Sequence, residues 1–359
     1  MLKKRVEQLQ PYVPEQPLSQ LRAELGIPEV VRMSANENPF GTTPAVKEAV
    51  RNWNFDDAHY YPDGDAMALR EAVAARHGID QEQLLFGCGL DEVIELTART
   101  FLEPQDEVVE PWPTFGEYKI HAEIEDATVV DVPVLSNGQA DLAGLLAAIT
   151  PKTKLLWLCN PNNPTGTFID ATALGKFLAQ VPEHVLIMVD EAYIDFVADA
   201  ESQSAMQFLD QCDHMVVMRT FSKMYGLANF RVGYAVIPKA LVTKMQAVRL
   251  PYNLSDVSQT AALAAFNDTE FVTQTRARVQ AQRDGWHAFL AAEGFEAYES
   301  QANFIFFKAP NALALADYLK HQGFLLRTGL QEDWLRITLG TAEQNARVQA
   351  LVRQFYAMR

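Results

Sequence analysis

The chain has 359 residues, 48% of them hydrophobic and 21% charged, with a formal net charge of −16. Such a length buries a sizeable core and suggests about two domains, and such a composition excludes a disordered or fibrous chain. The acidic balance argues against nucleic acid as a partner, because phosphate backbones recruit Lys and Arg, so any bound anion must be met by a few placed arginines.

The amino terminus, Met1-Leu2-Lys3-Lys4-Arg5, is basic but has no apolar core behind it, so no secretory signal is expected. No apolar run approaches the ~20 residues of a membrane helix, and no membrane partner is expected. Cys88, Cys159 and Cys212 are widely scattered without Cys-x-x-Cys spacing. This predicts no metal site and a reduced, cytoplasmic protein.

Apolar runs at 83–86, 106–109, 154–158, 185–189, 215–218 and 232–237 alternate with helical patterns. That alternation predicts an α/β fold, a mostly parallel sheet covered by helices on both faces. From Ser255 the texture changes to a long helical stretch reaching about Glu293, a strand over 302–308, a helix, two strands around Arg327 and Arg336, and a last helix. This reads as a smaller α+β domain, with a site in the cleft between the two.

Several motifs fall at the ends of the apolar runs. Gly87-Cys88-Gly89-Leu90-Asp91-Glu92 follows a strand and opens a helix, where free backbone amides and the helix dipole suit a phosphate. A dinucleotide fingerprint fails there because Glu92 replaces the third glycine. Phe115 follows the next strand in a Trp-Pro-Thr-Phe-Gly turn, fit to stack on a flat ligand or to join the core. Asn163 precedes Pro164 within a rigid Asn-Pro-Asn-Asn-Pro-Thr-Gly loop and is biased to an extended conformation, its amide free for a ligand or for ordinary turn chemistry. Asp190 closes the 185–189 strand and leads into Glu191-Ala192-Tyr193; a carboxylate there sits where open α/β sheets bind ligands, or caps the next helix. Finally Ser222-Lys223 is followed by Arg231, an amine able to condense with an aldehyde beside two donors for a cofactor phosphate.

Taken in order and at these intervals, Asn163-Pro164-Thr165-Gly166, Asp190-Glu191-Ala192-Tyr193 and Ser222-Lys223 with Arg231 resemble fold-type I aminotransferases, which depend on pyridoxal 5′-phosphate (PLP). Asn36-Glu37-Asn38-Pro39, Tyr60-Tyr61-Pro62-Asp63, Gly89-Leu90-Asp91-Glu92, Pro113-Thr114-Phe115-Gly116 and Leu335-Arg336-Ile337-Thr338 narrow the likeness to the histidinol-phosphate aminotransferases, over essentially the whole chain. The resemblance implies a large PLP-binding domain over 36–250 with a seven-stranded type of sheet, and a small domain from 1–35 and 251–359. It implies that Lys223 carries PLP and moves protons, that Asp190 pairs with the ring nitrogen and Tyr193 with the ring oxygen, and that Asn163 and Phe115 contact the ring. Gly89 would belong to the cofactor site, and the amides of Leu90 and Asp91, with Ser222 and Arg231, would hold the phosphate. Tyr61 would reach the phosphate of a neighbouring subunit, making a homodimer with shared sites.

For substrate, the resemblance matches Arg336 to the arginine that binds an α-carboxylate and Arg327 to the one that contacts the phosphate of histidinol phosphate, with Tyr12, Asn38 and Asn163 in the same pocket. The implied reaction passes the amino group of L-histidinol phosphate to 2-oxoglutarate, giving imidazole-acetol phosphate and glutamate, a step of histidine biosynthesis. Aromatic amino-acid aminotransferases and threonine-phosphate decarboxylases share most of these motifs and stay open as alternatives. A PLP-sensing regulator is disfavoured because no basic helical module flanks the domain. Asn229-Phe230 stands where Gly-Leu is common in the family.

Overall fold

The computed structural model describes residues 5–7, 9 and 15–358. Its strands are β1 Val31–Arg32, β2 Leu84–Cys88, β3 Glu107–Trp112, β4 Thr128–Pro133, β5 Thr153–Cys159, β6 Leu186–Asp190, β7 Met215–Thr220, β8 Val232–Val236, β9 Phe304–Lys308, β10 Phe324–Leu325 and β11 Trp334–Thr338. β2 to β8 form one seven-stranded sheet in the order β2-β8-β7-β6-β5-β3-β4. Only β8 runs antiparallel to its neighbours.

The central strands are apolar without interruption because both sheet faces are covered. Val109, Leu156, Leu158, Ile187, Val189 and Val217 point into one apolar cluster. Their chain neighbours Val108, Leu155, Trp157, Met188, Val216 and Met218 point into the other. Asp190 follows the alternation of Met188 and lies opposite Cys159 in register.

β4 escaped the sequence reading. Thr-Val-Val-Asp-Val-Pro is polar because the strand forms the partly exposed edge of the sheet. The stretch after Ser255 is two helices, Asp256–Asn267 and Thr269–Glu293, since Asp268 turns its carboxylate back to cap the second by accepting from Phe271 N at 3.0 Å. The strand expected around Arg327 is shorter than read: β10 ends at Leu325, and Arg327 makes only an isolated bridge to Arg336.

Two features of topology place a site. The chain leaves β3 to form β4 on one side and returns to form β5 on the other, so a crevice opens beyond the carboxyl ends of β3 and β5. Across it lies the antiparallel pair β9 and β11, tied to the amino-terminal segment by β1–β10 pairing and by Thr338 N donating to Met33 O at 2.8 Å.

Candidate active site

A cleft of about 670 Å³ opens at those strand ends, lined among others by Asp91, Phe115, Asn163, Asp190, Tyr193, Ser222, Lys223, Arg231, Arg327 and Arg336. Loops after β3, β5, β6 and β7 each deliver part of it. The loops after β3 and β5 are locked together by Asn162, which accepts from Thr114 Oγ1 at 2.8 Å and donates to Pro113 O at 3.0 Å. That polar clamp replaces the ladder where the strands end, so neighbouring Phe115 and Asn163 sit on a fixed base.

Lys223 lies on a turn closed by Gly226, whose backbone passes so near Gly41 that a Cβ would stand 1.9 Å from its carbonyl oxygen. Half-buried, its Nζ donates to Ala35 O at 3.1 Å. Burial, and then the charge of Arg336, lowers its pKa from 10.5 to about 8. A substantial neutral fraction is therefore present near neutral pH, as a nucleophilic amine requires.

Asp190 is 3% exposed at the end of β6. Its Oδ2 accepts from Tyr118 Oη at 2.6 Å and its Oδ1 from Ala192 N at 2.9 Å. Burial raises its pKa to about 6, against the pull of those two donors. The second bond shows that Asp190 does serve its own turn, so capping and ligand reading coexist at different lone pairs. Tyr193 is also buried; Asn36 Nδ2 donates to its hydroxyl at 3.0 Å and Asn163 Nδ2 at 3.4 Å. Burial pushes that phenol up, so it stays protonated and can donate in turn.

The phosphate-type end is built around Gly89. Helix Gly89–Phe101 starts with no side-chain cap; the Gly89 amide donates to Arg231 O at 3.0 Å, which leaves the amides of Leu90 and Asp91 for an incoming anion. Gly89 has φ +74°, and a Cβ there would come within 2.5 Å of Arg231 Nη2. Arg231, itself left-handed at φ 54° after the short 3-10 turn Ala228–Phe230, donates to Asp91 Oδ2 at 2.8 Å. Both partners are about half exposed, so the pair is worth at most ~1 kcal/mol and the guanidinium can turn to an incoming phosphate at little cost. Leu90 and Ser222 line the same end. A bare helix terminus, a glycine cradle, a cation, a buried carboxylate and an amine thus fit PLP in size and chemistry.

On the opposite wall Arg336 is buried, donating from Nη1 to Asn163 Oδ1 at 2.5 Å and from Nη2 to Ser34 O. Arg327 lines the cleft beside it. Asn38 is not brought into the cleft: its amide donates to Met224 O at 2.7 Å, bracing the turn after Lys223. Tyr61 is 81% exposed and stacks on Tyr252 with centroids 4.7 Å apart, also away from the cleft. Tyr12 lies outside the described residues.

Sequence reasoning missed Tyr118, Arg32 and the role of Asn36. Arg32 lines the cleft mouth, donating to Glu37 Oε1 at 3.2 Å. Asn36 adopts φ 57°, a region an Asn tolerates better than most residues, and this turns its amide towards Tyr193. Among the described residues no group of three or more potential metal ligands occurs, and no helix is long and apolar enough to cross a membrane.

Comparison with known proteins agrees along the whole chain. The family described as aminotransferase class I and II matches residues 28–352. A histidinol-phosphate aminotransferase of Lactiplantibacillus plantarum is 52% identical over 356 residues, covering 99% of this chain and all of the relative. Another, of Geobacillus thermodenitrificans, is 39% identical over 351 residues, 97% of this chain and 96% of the relative. The solved histidinol-phosphate aminotransferase of Sinorhizobium meliloti in complex with pyridoxal-5′-phosphate shares the fold with TM-score 0.88, at 24% identity and covering 99% and 98% of the two chains.

Proposed function

The chain belongs to the class I and class II aminotransferases and is a PLP-dependent transaminase of histidine biosynthesis; on that premise we propose that it transfers the amino group of L-histidinol phosphate to 2-oxoglutarate. The observation that carries this reading is the cleft's charge layout: a neutralisable lysine and a buried carboxylate at the centre, with Arg327 and Arg336 on the far wall. Two arginines suit a substrate set in which one partner brings a phosphate and the other two carboxylates.

Bound PLP supplies an aldehyde and an electron-accepting ring. Lys223 Nζ would be the amine that carries it and, when free, the base positioned to take the proton from the substrate's Cα and the acid to give it back. Asp190 would hold a proton on the ring nitrogen, Tyr193 would donate to the ring oxygen with Asn163 beside it, and Phe115 would cover a ring face. The first-turn amides of Leu90 and Asp91, with Ser222 and Arg231, would hold the cofactor phosphate, and Gly89, with no side chain, leaves room for Arg231 beside it. Arg336 orients the carboxylate of glutamate and Arg327 the phosphate of histidinol phosphate.

The division into a large domain over 36–250 and a small domain from 1–35 and 251–359 puts this cleft at their junction. A homodimer completes the site through Tyr61, a role supported by the exposed aromatics Phe55, Tyr60 and Tyr61 clustered on one segment. A cytoplasmic location accords with three free thiols. Lys223→Ala tests the assignment: PLP should still bind non-covalently while transamination is lost, and turnover at the unmodified rate would defeat it.

A further inference from the structure

We infer that Tyr118 is a positioning residue of the transamination, fixing Asp190 in its charged form and in the orientation that faces the ring nitrogen of PLP. This rests on the proposed role of Asp190. Tyr118 belongs to helix Glu117–Ile124, is 1% exposed, and its Oη donates to Asp190 Oδ2 at 2.6 Å across 72 residues of chain. Its ring is clamped: stacked on Trp157 with centroids 4.3 Å apart and planes within 5°, and met edge-on by Phe115 at 5.5 Å. A phenol so held keeps its hydroxyl between Asp190 Oδ2, the stronger acceptor, and the Cys159 thiol.

The electrostatic setting explains why the donor matters. Burial disfavours charge on Asp190, and Asp91 and Glu191 disfavour it further. Cys159, opposite in register, is a buried thiol pushed up by burial and so is neutral, as is the buried Tyr193 phenol. The Tyr118 hydroxyl, and then the Ala192 amide, pull the other way. Burial and the adjacent carboxylate hold the Tyr118 phenol well above its ordinary value, so it remains a donor throughout the working range. Each Asp190 oxygen then has one donor in place and a lone pair left over, and the carboxylate cannot rotate away from the ring.

Tyr118→Phe keeps the stacked ring and removes only the donor. With PLP labelled with nitrogen-15 at the ring, the shift of that nitrogen reports its protonation directly, without turnover. The wild type should be protonated at pH 7.5. In Tyr118→Phe the midpoint for loss of that proton should fall by about one pH unit, and PLP affinity should drop about tenfold, the size expected for one charge-assisted hydrogen bond. Trp157→Phe, which keeps both the phenol and an aromatic ring stacked against it, should leave ring protonation unchanged. An unaltered nitrogen shift and affinity in Tyr118→Phe would overturn the inference, as would a Trp157→Phe variant as impaired as Tyr118→Phe. Failure of the wild type itself to bind PLP or protonate its ring would instead refute the role of Asp190.

Discussion

Glu110 offers a test of the electrostatics under the site. It lies in the middle of β3, wholly buried, with neither carboxyl oxygen hydrogen-bonded among the described residues. Asp131 faces it in register on β4, and Lys119 is committed to Asp131 at 2.7 Å. Burial, and then the Asp131 charge, raises the Glu110 pKa from 4.5 to about 8. A carboxyl whose native pKa exceeds its unfolded one binds its proton more tightly when folded. Its stabilising contribution is therefore complete below about pH 4.5 and is lost as pH rises towards 8. At a limiting slope near 1.4 kcal/mol per pH unit, the loss between pH 5.5 and 7.5 is roughly 2 to 3 kcal/mol. Glu110→Gln keeps the shape and removes the titration. Urea unfolding of the apoprotein at those two pH values, wild type against variant, should show the variant gaining roughly 2 to 3 kcal/mol on the wild type as pH rises. Parallel pH dependences would refute the reasoning.

The Lys223 amine, lowered to about 8 by burial and Arg336, should capture the PLP aldehyde at a rate that rises with pH and levels off above about 8; Arg336→Met should move that midpoint upward. Stopped-flow uptake of PLP by the apoprotein reads it, and a midpoint near 10 in the wild type would contradict it. Gly89→Ala places a Cβ against Arg231 at φ +74° and should cost about 1 to 3 kcal/mol of stability and at least about tenfold in PLP affinity. Gly285→Ala is the contrast: mid-helix, with nothing within 4 Å of its added Cβ, it should stabilise by about 0.5 to 1 kcal/mol and leave PLP binding alone. Thermal melts and PLP titrations of the two variants check both.

What was legible in the chain follows from how local the signal is. Asp190 closes one buried strand and Lys223 follows another by three residues, where a polar residue at the end of an apolar run marks the sheet edge that binds ligands. The glycine-opened helix at Gly89 was legible for the same reason. Tyr118 was not, because its partner lies 72 residues away and its helix gives no sign of which face meets Asp190. Asn36 bonds to Tyr193 across 157 residues, and only its left-handed backbone, invisible in sequence, aims it there. The resemblance marks Arg336 as a carboxylate-binding arginine, but that Asn163 Oδ1 and Ser34 O are among its acceptors was not legible, since they lie 173 and 302 residues away. β4 was lost because an edge strand needs no second apolar face.

The central claim is best tested by the absorbance spectrum of the PLP-loaded protein titrated separately with histidinol phosphate, phenylalanine and glutamate. Efficient conversion to the pyridoxamine form by histidinol phosphate and glutamate, with phenylalanine weak, is the predicted result. Preference for phenylalanine would place the enzyme among the aromatic aminotransferases and contradict the proposed substrate, and the absence of any cofactor band would contradict the account as a whole.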